Sequence, residues 1–384
     1  MKFRAPIAWS QLSHGRIKLL LAIAGVLFAD VLMWMQLGFL DAMFESATFV
    51  PQRVSADLVM IHPQSQALFR MTQFSQRALH RVPAHPQVES IQAGYVGICD
   101  WRNPWTQRDR QIFVYGFEPF RVPMDVPGLA EGWGQLRNPD VCLFDKKSRI
   151  EFGDVPKALA EGREVQAELN RRKMHVVGLV EIGASFAVDG NLMTTDTNFL
   201  RTFPERKSGW IDFGLIRLKP GADIVKVQKE LQATVGKEVS LLTRQEFVDF
   251  EKAYWQKNAP IGFIFTMGTA IGFLVGFVVV YQILHTDVAN HLPQYATLKA
   301  IGFTDGFLWR IVLQESFILA ILGYLPSVLF AFGMYKVAAD ATHLPLKLTA
   351  FRAVLILLMT VTMCFFSGSV AVRKLRSADP ADVF

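Results

Sequence analysis

Apolar positions in this chain gather into four long blocks, one near the N-terminus and three in the last third, with a mixed polar and apolar pattern between. A helix needs about 20 consecutive apolar residues to cross a bilayer core. Segments 19–40, 261–284, 311–334 and 353–372 meet that length. The second and fourth carry no charge, the first contains Asp30 and Gln36, and the third contains Glu315 and Pro326. Lys2, Arg4, Arg16 and Lys18 lead into the first block like the charged start of a signal peptide. Its apolar run, however, exceeds the about 7–15 residues of a cleaved leader, so it reads as a retained span. Four spans put both termini on one side. The basic lead and Arg373, Lys374 and Arg376 assign that side to the cytoplasm, leaving residues 1–18 as a cytoplasmic amphipathic segment.

Residues 41–257 are then extracytoplasmic, and their pattern is mixed α/β. Val88–Cys99 and Gln111–Phe117 read as strands separated by the turn signal Asn103–Pro104. Glu164–Leu169 and Lys173–Leu179 flank Asn170 and Arg171 as a hairpin. Trp210–Leu218 alternates until Lys219-Pro220-Gly221 breaks it. Asp223 caps a helix to about Val235, and Val239–Leu242 follows as a short strand, giving one β-α-β unit. Thr243 and Glu246 then form a capping box, each side chain satisfying a backbone N–H at a helix start. This helix, 243–257, carries Phe247, Phe250, Tyr254 and Trp255 and is separated from the second span only by Gln256–Ala259. Two readings stand: a stalk that carries motion to the membrane, or an ordinary helix packed on its own domain.

Composition changes this picture little. Of 384 residues, 51% are hydrophobic and 19% charged, and the net charge of +6 resides at membrane flanks rather than in a basic, aromatic-interleaved stretch, so nucleic acid is not an expected partner. Three cysteines are present. Cys364 lies in an apolar block, while Cys99 and Cys142 lie in the outer domain, where an oxidising compartment permits but does not require a disulfide. No metal-site spacing, phosphate-binding G-x-x-x-x-G-K-[ST], H-E-x-x-H or G-x-S-x-G occurs, so no catalytic residue, metal or chain-bound cofactor is expected.

Within the spans, Asp30 and Glu315 are the expensive groups, since a central carboxylate costs about 2.5–3.5 kcal/mol to insert. Each is either part of a proton or substrate path or a protonated or hydrogen-bonded carboxyl joining helices. Glu315, near the start of its span, is expected close to the interface. Gly268, Gly272 and Gly276 repeat G-x-x-x-G, a strip for close helix approach. Pro326 permits a kink. The first span is expected to stand as an isolated anchor, with the last three forming a compact unit.

Two stretches resemble a known family. Tyr295-Ala-Thr-Leu-Lys-Ala-Ile-Gly-Phe-Thr-Asp305, followed by Leu313–Gly323 with Glu315 at the opening of the span, is similar to the FtsX/MacB-type permease domain of ABC exporters. So is the basic, D-P-A-containing tail 373–384, and Ile7–Leu12 resembles the family's start. Gln36–Phe39, Gly183–Phe186, Asp189–Asn191, Pro260–Phe265 and Val280–Leu284 look like the DevC family of cyanobacterial exporters. The resemblance implies a MacB-like fold: four transmembrane helices with a large α/β extracytoplasmic domain between the first and second, and an FtsX-like domain over 258–384. It implies an inner-membrane permease subunit, working as a homodimer. Its expected partners are a separate DevA-like ATPase holding ATP-Mg, a DevB-like adaptor and a TolC-like outer-membrane channel, with a glycolipid or other hydrophobic cargo moved by mechanotransmission. The loop 285–310 is then the ATPase-coupling loop. Leu292, Tyr295, Leu298 and Ile301 form one apolar face, Lys299 a polar flank, and Gly302 the helix end; the plain alternative is a helix lying on lipid. An FtsX-like scaffold for an extracytoplasmic hydrolase and a lipoprotein-release permease are the competing functions.

Overall fold

The computed structural model describes residues 16–257 and 260–372. The N-terminal segment, residues 258–259 and the tail motif lie outside the described residues. Four helices are long and apolar enough to cross a membrane: α1 (Arg16–Arg53), α4 (Pro260–Asn290), α6 (Asp305–Thr342) and α7 (Ala350–Ala371). Each extends beyond its apolar core, and α6 runs through Pro326 as one continuous helix. Three further helices matter here: α2 (Ile224–Val235), α3 (Arg244–Lys257) and α5 (Leu292–Ala300). The chain divides into two compact units. One is helical, comprising the chain up to Asp41, Ile261–Ala339 and the part from Leu346 onward; the other contains Ala42–Pro260 with Asp340–Pro345.

The second unit is built on a mixed nine-stranded sheet. Its strands are β1 (Leu58–Ile61), β3 (Val88–Arg102), β4 (Asp109–Phe117), β5 (Val141–Asp145), β6 (Val165–Leu169), β7 (Arg172–Val180), β8 (Asn191–Thr195), β10 (Phe213–Leu218) and β11 (Ser240–Thr243). A separate ribbon pairs β2 (Phe74–Ser75) with β9 (Trp210–Ile211). The order is β11-β1-β10-β3-β4-β8-β5-β7-β6, and β6 returns to β3 through Trp101–Leu169 and Arg102–Glu168, so six strands close on themselves. The long strand β3 makes this possible: its first half pairs with β10 and its second half with β4 and β6. The segment β10-α2-β11 is a split β-α-β unit, because β1 lies between the two strands and is antiparallel to both. The Asp223 side chain accepts from Lys226 N–H and starts α2.

Successive strand side chains alternate between two cores as the pleat requires, so β1, β5 and β8 are buried at every position. One set of strand side chains joins Val227, Leu231 and Val235 of α2 in a core around Trp101, Phe144 and Phe199. The other set packs around Phe113, Phe117, Phe213 and Phe247 of α3. Cys99 and Cys142 are buried, free thiols, each pushed up to about 12 chiefly by burial. They are inert core residues in this state.

Candidate functional site

The helical unit is held by small residues and by two polar networks. Along α4 a Cβ on Gly268 would lie 2.5 Å from the Gln36 side chain, one on Gly272 3.3 Å from Met33, and one on Gly276 2.7 Å from Ala29. On α1, a Cβ on Gly25 would lie 2.5 Å from Val279. As numbers rise on α4 they fall on α1, so the glycine strip receives α1 in antiparallel contact. Gly323 of α6 faces Val26, again on α1. The expectation of an isolated first span is therefore wrong: Ala22 and Val26 share a core with Leu284, Leu319 and Met363. Sequence separation suggested independence, but the glycines on α4 have a specific partner, and it is the first span. Phe39 and Phe265, each from one of the short motifs noted in the sequence, stack at 5.9 Å.

Asp30 is fully buried among three helices. Thr360 Oγ1 of α7 donates to its Oδ1 at 2.7 Å, and Ser327 Oγ of α6 lies at 3.4 Å from Oδ2. Its surroundings are those of a carboxyl that joins helices. Glu315 is also fully buried, and among the described residues neither carboxyl oxygen has a hydrogen-bond partner. The hydrogen-bonded reading of Glu315 does not hold in this arrangement. α6 begins at Asp305, six residues before the apolar run, and packs Glu315 into the interior of the bundle.

A second network escaped sequence reading. Arg352, only 3% exposed, sits in the first turn of α7. Its Nε donates to Asp41 Oδ2 at 3.0 Å, and its Nη2 donates to the same carboxylate. Nη1 reaches Tyr335 Oη at 3.0 Å and the Lys347 carbonyl at 2.9 Å, while the Tyr335 hydroxyl donates to the Trp34 carbonyl. Thus α1, α6 and α7 are tied by one guanidinium. In the sequence Arg352 stands just outside the uncharged run 353–372, where a basic residue reads as an ordinary flank.

The loop between α4 and α6 folds as α5. Tyr295 is buried, and Leu292 and Leu298 pack with it against Val288, Leu308 and Val312. Of the expected apolar face, Leu292, Tyr295 and Leu298 are thus turned into the bundle. Lys299 Nζ pairs with Asp305 at 2.8 Å. Gly302 ends the helix at φ +105°, with its N–H on Lys299 O and that of Phe303 on Leu298 O, a C-terminal cap that only glycine adopts freely. Among the large apolar residues at the end of α5, Ile301 is 71% exposed and Phe303 is half exposed, beside exposed Pro293, Gln294, Thr297 and Thr304.

In the sheet unit, the capping box of α3 is formed: Glu246 Oε2 accepts from Thr243 N–H at 2.7 Å and Thr243 Oγ1 from Glu246 N–H at 3.2 Å. The backbone donor of Thr243 holds the Glu246 carboxyl below its ordinary value. Phe247, Phe250 and Trp255 pack on their own domain, and Tyr254 meets Phe69 edge-on at 5.4 Å. The helix is therefore a domain-packed one; its junction with α4 falls on 258–259, outside the described residues. The segments 183–186 and 189–191 fold into one braced loop. Buried Asp145 accepts from the N–H groups of Lys147, Ile182 and Gly183 and from Asn191 Nδ2, while Asp189 pairs with Arg110 at 2.6 Å and Arg149 at 3.1 Å. Among the described residues no cluster of His, Cys, Asp or Glu is disposed to hold a metal ion.

Comparison with known proteins follows the same division. The model of the MacB-like periplasmic core domain matches residues 19–234, and that of the FtsX-like permease C-terminal domain matches 261–380. No curated protein matches the chain. Among solved structures, the periplasmic region of MacB from Actinobacillus actinomycetemcomitans is similar at 9% identity over 50% of this chain and 91% of its own, with a TM-score of 0.35. The extracellular domain of the noncanonic ABC-type transporter YknZ from Gram-positive bacteria is similar at 11% identity over 49% of this chain and 100% of its own, also at 0.35. With the periplasmic core model covering more than half its length and the permease model most of the rest, this chain belongs to the MacB/FtsX-like family of ABC permeases.

Proposed function

We propose that this chain is the membrane subunit of an ABC exporter that hydrolyses no ATP itself. It transmits the work of a partner ATPase through its helices to its sheet domain, and from there to a periplasmic adaptor and an outer-membrane channel. The reading extends to a DevC-like subunit in the inner membrane, with cytoplasmic termini, acting as a homodimer with DevA-like and DevB-like partners and a TolC-like channel, on glycolipid or another hydrophobic cargo. The observation that carries it is the helical unit itself. A transmitting bundle needs helices that move as one body, and here one glycine strip and two polar networks fasten α1 to α4, α6 and α7. A substrate pore through the bundle would instead need a polar lumen, whereas Asp30 and Arg352 are closed off by side-chain and backbone partners.

The outward apolar residues at the end of α5, Ile301 and Phe303, are the proposed ATPase contact, with Lys299–Asp305 holding their turn in shape. The test is export by the intact complex together with co-purification of the ATPase. Ile301→Asp should uncouple export and weaken ATPase capture while leaving membrane insertion unchanged. Leu298→Asp is a poorer probe, because Leu298 packs inside the bundle. Unchanged export and capture in Ile301→Asp with Phe303→Asp would remove the coupling assignment. If the partner recovered on the sheet domain were a cell-wall hydrolase and not an adaptor, the scaffold reading would replace that of an exporter.

A further inference from the structure

The sheet unit contains a cavity that the transmission reading does not use. It has a volume of about 40 Å3. Its floor is made of buried Leu68, Phe113, Tyr115, Asn191, Glu251 and Trp255, and its half-exposed rim includes Phe69 and the braced loop at Ser185–Val188. Glu251 of α3 is 2% exposed. One carboxyl oxygen accepts from Leu68 N–H at 2.8 Å and the other from Trp255 Nε1–H at 3.1 Å. Both donors favour the ionised carboxylate. Yet among the described residues no cation pairs with it. Arg70 donates instead to the Tyr254 hydroxyl at 3.4 Å, Tyr115 faces it from β4, and Asp145 stands beyond Asn191. A carboxylate that is desolvated and given two donors but no counter-charge is a costly arrangement, one that an incoming cation would relieve.

We propose that this cavity is a binding site for a primary ammonium group, –CH2–NH3+, on the end of a chain that leaves through the rim. Glu251 supplies the charge, and Phe69, Phe113, Tyr115 and Trp255 line the space around it. The size argues for this class. At about 10–15 Å3 per water the space takes about three waters, which matches one such head but not a sugar or a quaternary ammonium. The walls argue for it too, since a desolvated ammonium is attracted by aromatic faces as well as by the carboxylate. The three ammonium protons can also reach polar groups at Tyr115, Ser185 and Asn191, which line the same space. The site makes no use of the ATPase, the adaptor or the cargo, and stands or falls independently of them.

The test uses the purified full chain and ethylammonium chloride as the probe, read by the unfolding midpoint and by titration calorimetry above pH 8. The expected result is a saturable rise in midpoint that sodium chloride at equal ionic strength and ethanol do not reproduce. Burial pushes Glu251 up to about 7, so protons should compete and the apparent affinity should fall about tenfold per pH unit below that value. Glu251→Gln should abolish the response. Ala187→Leu at the rim, which leaves the carboxylate intact, should abolish it by filling the space. An equal response to ethanol, an unchanged response in Glu251→Gln, or a Glu251 that titrates without any saturable ethylammonium effect would each overturn the proposal; the last would make it a proton site only.

Discussion

Glu251 is the residue whose burial has the clearest consequence. Its carboxyl is raised to about 7, mainly by desolvation, against the partial relief of the Leu68 and Trp255 donors. In the unfolded chain the group ionises at its ordinary, lower value, so between the two values the folded state binds the extra proton. Stability is therefore highest in acid and falls as pH rises toward 7, by at most about 3 kcal/mol. Glu251→Gln should flatten that part of the pH–stability curve, as measured by thermal unfolding across a pH series; an unchanged slope would mean the carboxyl is solvated. Arg352 acts in the opposite way, because its charge is used. Arg352→Ala strips partners from Asp41, Tyr335 and the Lys347 carbonyl, and we expect a loss of about 2 kcal/mol. This is below the usual figure for breaking a buried pair, because Asp41 is half exposed. Arg352→Lys should recover only part of that loss, since one ammonium cannot serve three directions in the plane of a guanidinium. Chemical denaturation in detergent measures both.

Among the elements, the α4 glycine strip leaves no room for an added side chain. At Gly276 a side chain would run into Ala29 and Met363, whereas at Gly333 on α6 a Cβ would meet nothing within 4 Å. Gly276→Val should therefore destabilise the bundle by about 1–3 kcal/mol through overpacking, while Gly333→Ala should be neutral or slightly stabilising in the same denaturation assay. Equal effects would mean that the strip is not a helix contact. The repeated G-x-x-x-G signals a close approach here without naming its partner. In residues 19–40 only the spacing of Gly25 and Ala29 marks the face that α4 meets; Met33 and Gln36 carry no such signal. The capping box and the strands are legible for a simpler reason: they are made by neighbours in sequence, as with Thr243 and Glu246, or by the two-residue alternation along β3 and β4.

For the whole molecule, the permease match lies almost wholly in the helical unit while the periplasmic-core match takes in the first span as well as most of the sheet unit, and the proposed work of the chain lies in passing motion between the two units. Asp30, Thr360 and Ser327, with Asp41, Arg352 and Tyr335, fasten the helical unit at two levels. We expect Asp30→Asn to preserve export and coupled ATP hydrolysis, since an amide oxygen still accepts from Thr360, and the double change Asp30→Leu with Arg352→Leu to depress both while the chain still inserts. Transport and ATPase rates of the reconstituted complex are the readout. Retained coupling in the double variant would argue that the helices need not move as one body.

The sequence by itself determined the four spans, the inserted α/β domain, the cap of α3, the Gly302 stop and the family, because each depends on local periodicity, on composition over about 20 residues, or on short motifs. Only the tertiary structure decided that the first span is a full member of the bundle, and that Tyr295 and Leu298 face inward. It also decided that Arg352 rather than Glu315 carries the polar bonding, and that Glu251 borders a cavity. These are pairings between residues tens to hundreds of positions apart: Asp41 with Arg352, Leu68 with Glu251, Ala29 with Gly276. A side chain's charge and size are written in the sequence. Whether its neighbour is water, lipid, a carbonyl or an aromatic face is settled by packing, and the same carboxyl is glue at Asp30, an unpaired group at Glu315 and the floor of a cavity at Glu251.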